Sequence, residues 1–356
     1  MPDLQIDLSR PVLVTGASGY VAGWIVKQLL ELGLTVHAAV RDPEARAKLA
    51  HLDALAAKGP GRLRYFKADL LAAGAYQEAM AGCSVVFHTA SPFTLNIKDA
   101  QQELITPALE GTRNVLTSVN QTASVQRVVL TSSCAAIYGD NIDMRQTPRG
   151  MFDESVWNHT SSLSHQPYSY SKTLAERAAW EIAKAQSRWD LVVINPSLVL
   201  GPALQAHTTS ESFEILRQFG DGRMASGAPD FYIGAVDVRD VASAHVRAAF
   251  LPQAQGRHII SGHDTSLPQM AQALLPEWGA RYPIPRRILP KWAVWLFGPL
   301  MDKTVSRRML ARNVGHVWRA DNSKSRRELG LTYRPLQESL HEMFAQIEAQ
   351  GGFAQK

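Results

Sequence analysis

Pro11-Val12-Leu13-Val14-Thr15-Gly16-Ala17-Ser18-Gly19-Tyr20-Val21-Ala22-Gly23 is the stretch that decides the fold. Pro11–Thr15 is short and apolar, the mark of a strand buried on both faces. A helix is predicted from Tyr20 to Leu32, so the glycines fill a strand–turn–helix junction. Gly16 permits the tight turn, Gly19 lets backbone amides approach a pyrophosphate, and Ala22 keeps helix and strand close. Phosphates then rest on the helix N-terminus, where free N–H groups and the dipole favour anions. The candidate binding residues of this turn are Thr15, Gly16, Ser18, Gly19, Tyr20 and Val21.

Working outward, the same alternation repeats. Strands are predicted at Thr35–Val40, Leu63–Phe66, Ser84–His88, Arg127–Thr131 and Leu191–Asn195. Helices are predicted between them at Pro43–Ala57, near Ala75–Met80, at Gln101–Val119 and at Ser169–Gln186. Short apolar strands separated by helices mean βαβ units and a doubly wound α/β Rossmann domain, with ligands at the carboxyl ends of the strands. After Gly201-Pro202 the rhythm breaks. A helix is predicted at Ser212–Phe219, and a helix over Val236–Phe250 and a strand over Arg257–Ile260 return to the sheet. The expected division is a dinucleotide-binding domain of residues 1–201 plus 234–261 and a smaller, mostly helical substrate lobe of 202–233 plus 262–356.

Composition narrows the function. A length of 356 residues makes about two domains at roughly 150 residues each. The 46% apolar content excludes a disordered chain. The formal charge of +5 reads as a mild excess spread along the chain, without the like-charge run of a nucleic-acid tail. Two cysteines, Cys83 and Cys134, exclude a disulfide framework and a thiolate metal cluster, and fit a reducing compartment. The N-terminus lacks the pattern of a signal peptide, which together with the cysteines points to the cytoplasm. The apolar stretch Ile288–Met301 is too short to span a bilayer and carries Lys291 and Pro299, so it reads as a buried or lid helix; contact with a membrane surface is the alternative.

The end of the second strand tests which nucleotide is bound. An NAD site wants a carboxylate there for the ribose 2′-hydroxyl. Here Arg41 offers a planar fork to a 2′-phosphate and Lys48 adds a point charge, so NADP(H) is the expected cofactor. Asp42 could take that acidic role, but its place directly before Pro43 reads as a helix N-cap. Asp69, in Lys67-Ala68-Asp69-Leu70, could accept from the adenine amine or cap a helix. Further along, Tyr168-Ser169-Tyr170-Ser171-Lys172 sets a tyrosine and a lysine four apart, on one face of a helix. A phenol is a poor acid near neutrality, and an adjacent ammonium is expected to lower its pKa. Ser133 would donate to the same carbonyl oxygen. Tyr170, two residues from Lys172, faces away from it. Together Ser133, Tyr168 and Lys172 make a hydride-transfer site that protonates an oxygen while hydride reaches the carbon.

These stretches, with Phe87–Pro92 (FHTASP), Leu130–Ser133 (LTSS), Ala178-Ala179-Trp180, Pro196–Pro202 (PSLVLGP), Val236–Val241 (VDVRDV) and Gly256–Asp264 (GRHIISGHD), resemble an extended short-chain dehydrogenase/reductase, more narrowly the dihydroflavonol reductase and cinnamoyl-CoA reductase group. The resemblance covers the first three quarters of the chain in order and leaves 288–319 unmatched. It implies NADPH as hydride donor, Arg41 and Lys48 on its 2′-phosphate, and Ser133, Tyr168 and Lys172 as catalytic residues. It also implies that Asp69, Leu70, Thr89, Ala90 and Ser91 line the cofactor groove and that the backbone at Pro196, Ser197 and Val199 holds the nicotinamide amide.

Departures from that group bear on the substrate. Plant members that reduce dihydroflavonols use an asparagine where this chain has Tyr138, and a glutamine where it has Gly234. The Asn-Trp before the tyrosine of cinnamoyl-CoA reductases is Gln166-Pro167, and a helix asparagine of many relatives is Ala108. Phe93, Tyr138, Met224 and Ile233, with Phe213, are the candidate apolar wall of a substrate pocket. Cys134 and His88 read as buried packing residues, and Trp292, Trp295 and Phe297 as lid or core. The expected activity is reduction of small or medium apolar aldehydes and ketones by a monomer or homodimer, with no metal, no nucleic acid and no stable membrane insertion. Sugar-nucleotide epimerase or dehydratase chemistry, or non-catalytic NADP binding, are the alternatives.

Overall fold

The computed structural model describes residues 4–91, 99–205, 210–301 and 305–353. From the N-terminus it runs β1 (Val12–Thr15), α1 (Tyr20–Glu31), β2 (Thr35–Val40), α2 (Arg46–Ala56), β3 (Arg62–Lys67), α3 (Gln77–Met80) and β4 (Val85–His88). A π-helical turn, Gln101–Ile105, leads into α4 (Thr106–Gln121), followed by β5 (Arg127–Thr131), α5 (Pro167–Lys184) and β6 (Asp190–Pro196). These strands, joined by β10 (Gly256–Ile260), form a parallel sheet in the order β10-β6-β5-β4-β1-β2-β3. The order reverses between β1 and β4, which opens a crevice at their carboxyl ends.

The pleat sorts each strand between two cores. Val12 and Val14 of β1 face one side, with Ile25, Val26 and Leu29 of α1. Leu13 faces the other, with Val115, Leu116 and Val119 of α4 and Ala179 of α5. Helices on both faces explain why the strands read as unbroken apolar runs.

The remaining elements are β7 (Leu198–Leu200), α6 (Glu211–Gly220), β8 (Ala228–Pro229), β9 (Tyr232–Asp237), α7 (Val238–Phe250), β11 (His263–Ser266), α8 (Leu267–Trp278), β12 (Ile288–Leu289), α9 (Lys291–Met301), α10 (Arg307–Asn313), α11 (Ser323–Glu328) and α12 (Leu336–Ala349). Strands β11, β9 and β7 make a small mixed sheet. Beside it Phe213, Leu216 and Phe219 of α6 bury against Met270 and Leu274 of α8 and Leu340 and Phe344 of α12.

Three expectations need correction. The helix predicted over Val236–Phe250 begins only at Val238, because Ala235 and Val236 pair with β7 and Asp237 is the N-cap, its carboxylate accepting from the N–H of Arg239. Asp42 does not cap α2, whose cap position is Ala45; it accepts instead from the N–H of Glu44, two residues on. Trp292, Trp295 and Phe297 are not core: all three are exposed, and Val294 is the buried residue of α9.

Candidate active site

The site begins at the crevice. Gly16 sits at φ +62°, and a Cβ there would lie 3.1 Å from the Cα of Ala90, so the turn after β1 and the end of β4 touch backbone to backbone. The same contact is tied by Thr15. Its hydroxyl takes the N–H groups of Thr89 (3.1 Å) and Ala90 (3.0 Å) and meets His88 Nδ1 at 3.0 Å. Thr15 is thus wholly buried, and its side chain shapes the groove instead of facing it. His88 is also buried, which pushes its pKa down to about 3. Gly19 caps α1 without a side chain, and no acidic residue occupies the first turn, so its amides face outward uncompensated. Tyr20 does not face the groove with its hydroxyl, which donates to the carbonyl of Gly201 at 2.6 Å; Ser18 and Val21 are half-buried beside it.

Arg41 and Lys48 are exposed and form no ion pair among the described residues. Both cations are therefore free to meet a phosphate. Asp69 is exposed beyond β3 and accepts from the N–H of Leu71, while Leu70 lies against Gly111 of α4, where a Cβ would come within 2.5 Å of it. At the other flank the N–H of Ser197 is given to the carbonyl of Ile260 at 3.1 Å, and Val199 pairs with Val236. The Ser197 N–H is thus used within the fold and Pro196 has none by its chemistry, which leaves the carbonyls of this segment as the groups to meet an amide.

Tyr168 and Lys172 rise from the first turns of α5, which starts at Pro167 after Gln166 in the left-handed region (φ 55°). The Lys172 ammonium lies 5.8 Å from the Tyr168 ring centre and donates to Ser91 Oγ at 3.1 Å. Burial lowers the Lys172 pKa to about 8, against the pull of Glu176. Tyr168 stays 39% exposed at the mouth of the groove. Burial and the Glu211 carboxylate raise its pKa above the ordinary phenol value, against a hydrogen-bonding contact with Ser133. The expected lowering by Lys172 is not found: Ser133 is the group that pulls the Tyr168 pKa down, and burial outweighs it.

Behind this pair sits a buried hub that sequence spacing did not reveal. Glu176, one turn beyond Lys172, accepts from Ser132 Oγ (2.5 Å), Asn195 Nδ2 (2.7 Å) and Arg257 Nε (2.6 Å). Asn195 also donates to the carbonyl of Ser133, so one carboxylate fixes the ends of β5, β6 and β10 around the serine. A cavity of about 20 Å³, room for one water, lies under Lys172 between Ser91, Ala108, Ser132 and Glu176. Farther out, buried Asp140 joins His165, Arg312 and Asn313, anchoring the loop that enters α5.

Beyond Ser133, Tyr138 stacks on Phe152 (4.8 Å) and leans on Trp318 (5.8 Å). A Cβ at Gly234 would strike the Trp318 ring at 2.2 Å. The two departures noted in the sequence are thus one packing unit, with the Trp318 indole against both Tyr138 and Gly234. Met224 and Ile233 are half-buried against the α6–α8 core. Phe213 is fully buried, edge-on to Tyr20, and is core instead of pocket wall. Phe93 lies outside the described residues. Cys134 is buried, its thiol pushed up in pKa by that burial.

Residues 12–261 match the NAD dependent epimerase/dehydratase family. A cinnamoyl-CoA reductase of Medicago truncatula is 44% identical over 256 residues, covering 71% of this chain and 76% of that protein. A putative anthocyanidin reductase of Ginkgo biloba is 40% identical over 291 residues, 76% of this chain and 80% of that one. The yeast methylglyoxal/isovaleraldehyde reductase, solved with NADPH, superimposes with a TM-score of 0.74 at 26% identity, over 96% of this chain and 99% of that one.

Proposed function

Because the chain belongs to the NAD dependent epimerase/dehydratase family, we propose that it is an NADPH-dependent reductase of small or medium, fairly apolar aldehydes and ketones. The observation that carries the reading is Tyr168 and Lys172 on one face of α5, at the mouth of a groove whose turn holds Gly16 at φ +62° tight against Ala90. The groove residues fit a dinucleotide: Gly16, Gly19 and the amides of α1 for the pyrophosphate, unpaired Arg41 and Lys48 for a 2′-phosphate. NADPH, when bound, supplies the hydride.

The chain's own residues supply the proton and the geometry. Tyr168 Oη gives its proton to the carbonyl oxygen as the carbon takes hydride, so carbonyl becomes alcohol. The raised pKa of Tyr168 keeps that proton in place at neutral pH. Ser133 Oγ would donate to the same oxygen, and Lys172, held by Ser91, would hold the nicotinamide ribose hydroxyls of a bound cofactor. In this reading residues 202–233 and 262–356 close over the substrate, and Tyr138, Met224 and Ile233 present it with an apolar wall. The Tyr138–Phe152–Trp318 packing supports an apolar substrate over a polyhydroxylated one. A thioester substrate is the second reading, favoured by the Medicago relative and opposed by Gln166-Pro167 in place of Asn-Trp.

The test is NADPH oxidation over aldehydes, ketones, diketones, cinnamoyl-CoA and a nucleotide sugar, with Tyr168→Phe as control. Apolar carbonyls should be turned over fastest, and Tyr168→Phe should cost on the order of 10²–10⁴-fold in kcat while NADPH still binds. Faster turnover of the nucleotide sugar, or half of kcat surviving in the variant, overturns the reading.

A further inference from the structure

Helix α9 is turned inside out for a soluble enzyme. Of its 11 residues Val294 is the buried one, seated on Leu310 and Val314, with Gly298 beside Leu310. Around the rest of the cylinder Trp292 (67% exposed), Leu300 (78%) and Met301 (77%) stand in solvent with Trp295, Leu296 and Phe297, and Ile288 extends the patch. So many contiguous exposed aromatic and aliphatic side chains mark an interaction surface.

Charge identifies the partner. Residues 279–317 hold eight Lys or Arg and one Asp, a net +7, which exceeds the +5 of the whole chain. The positive excess is therefore concentrated here, not spread as the composition alone implied. Arg286, Arg287, Lys291, Arg307 and Arg308 are exposed, and none is paired with a carboxylate among the described residues. The Arg307 guanidinium lies 4.9 Å over the Trp295 ring, so cation and aromatic belong to one face. A second copy of the chain is a poor occupant, since a two-fold contact would set these cations against their own images.

We propose that α9 is an interfacial anchor that lays its Trp, Phe and Leu side chains into the headgroup region of an anionic phospholipid membrane, with the flanking arginines on the lipid phosphates. Tryptophan suits that boundary, and long basic side chains reach from an apolar seat to charged headgroups. At about 1.5 Å per residue the helix is far too short to cross a bilayer, and among the described residues no helix is long and apolar enough to do so. The attachment is therefore peripheral, reversible and salt-sensitive.

The experiment is flotation of the full chain with vesicles of phosphatidylcholine alone or mixed with phosphatidylserine, at about 0.1 M and about 1 M salt. Binding is expected to the mixed vesicles at low salt and to fall at high salt. Trp292→Ser with Leu300→Ser should weaken partition at least tenfold, since each buried large apolar group contributes on the order of tenfold. Arg286→Glu with Arg287→Glu should weaken it by about fivefold or more per residue. Circular dichroism confirms that both pairs stay folded. The proposal is overturned by absence of wild-type binding to mixed vesicles or by equal binding to both compositions. It is also overturned by sedimentation of the wild type as a dimer that Trp292→Ser with Leu300→Ser dissolves.

Discussion

Lys172 gives up its proton near pH 8 while Tyr168 holds its own well above that, so the lysine sets the alkaline edge of the site. If its ammonium is needed to hold the cofactor ribose, kcat/KM should be flat below about pH 7 and fall above pH 8 as Lys172 deprotonates. Glu176 raises the Lys172 pKa, so Glu176→Gln should move that edge to lower pH. The same change takes the paired carboxylate from buried Arg257, which keeps its carbonyl acceptors, and should destabilise the fold by about 3 kcal/mol, read as a lower urea midpoint. A stability loss with an unmoved pH edge would make Glu176 purely structural. Arg41 belongs to the same scale. Arg41→Ala should raise KM for NADPH by about ten- to a hundred-fold and leave NADH little changed. Equal effects on the two would mean that Arg41 does not meet the 2′-phosphate. Tyr168, Lys172 and Arg41 were legible because each lies a fixed few residues from a helix start or strand end. Glu176 was not: its partners Ser132 and Arg257 are 44 and 81 residues away, and only the folded sheet brings them together.

Among the elements, the sequence was clearest where pleat and helix periods act alone. Thr35–Val40 and Arg127–Thr131 run just as their apolar β-branched pattern implies. It failed where a partner decides the conformation. Val236 reads as the start of the helix that follows, yet β7 and β11 claim the backbone of β9 and hold it extended up to Asp237. The run Gln101–Val119 divides between a π-helical turn and α4 at Pro107, which has no N–H to continue the ladder and sits in the first turn of α4. α9 misled for a different reason. Its composition matches a core helix, and burial depends on what packs over it; among the described residues the apolar cluster of Leu310 and Val314 takes the Val294 side.

For the whole molecule, the alternation of strand and helix established the sheet but not the ties that draw distant segments onto it. His88 joins β4 to β1 through Thr15, and His245 of α7 meets Thr131 of β5 at 2.7 Å. Both imidazoles are buried, and burial pushes their pKa values down to about 3 and about 4. An unfolded histidine titrates near 6.5, so below that pH the unfolded chain binds more protons than the folded one. Each histidine then favours unfolding by up to about 1.4 kcal/mol per pH unit until its folded pKa is reached. Two buried carboxylates extend the loss into stronger acid. Burial alone would raise Asp140 and Asp237, but the donors on them, His165, Arg312 and Asn313 for the first, Arg239 and Ser339 for the second, hold both below the ordinary value. Their contribution is present above the unfolded carboxyl pKa, about 3.9, and is lost as pH falls through the folded one. Stability should therefore be level near pH 7, decline from about pH 6.5 through the histidines, and decline further below about pH 4 through the aspartates. Urea midpoints taken down this range measure it. His245→Gln, which keeps a polar group opposite Thr131 without a titrating proton, should make the first decline shallower and leave the part due to His88. A wild-type midpoint unchanged between about pH 7 and about pH 5 would mean that these imidazoles are not held neutral by the fold.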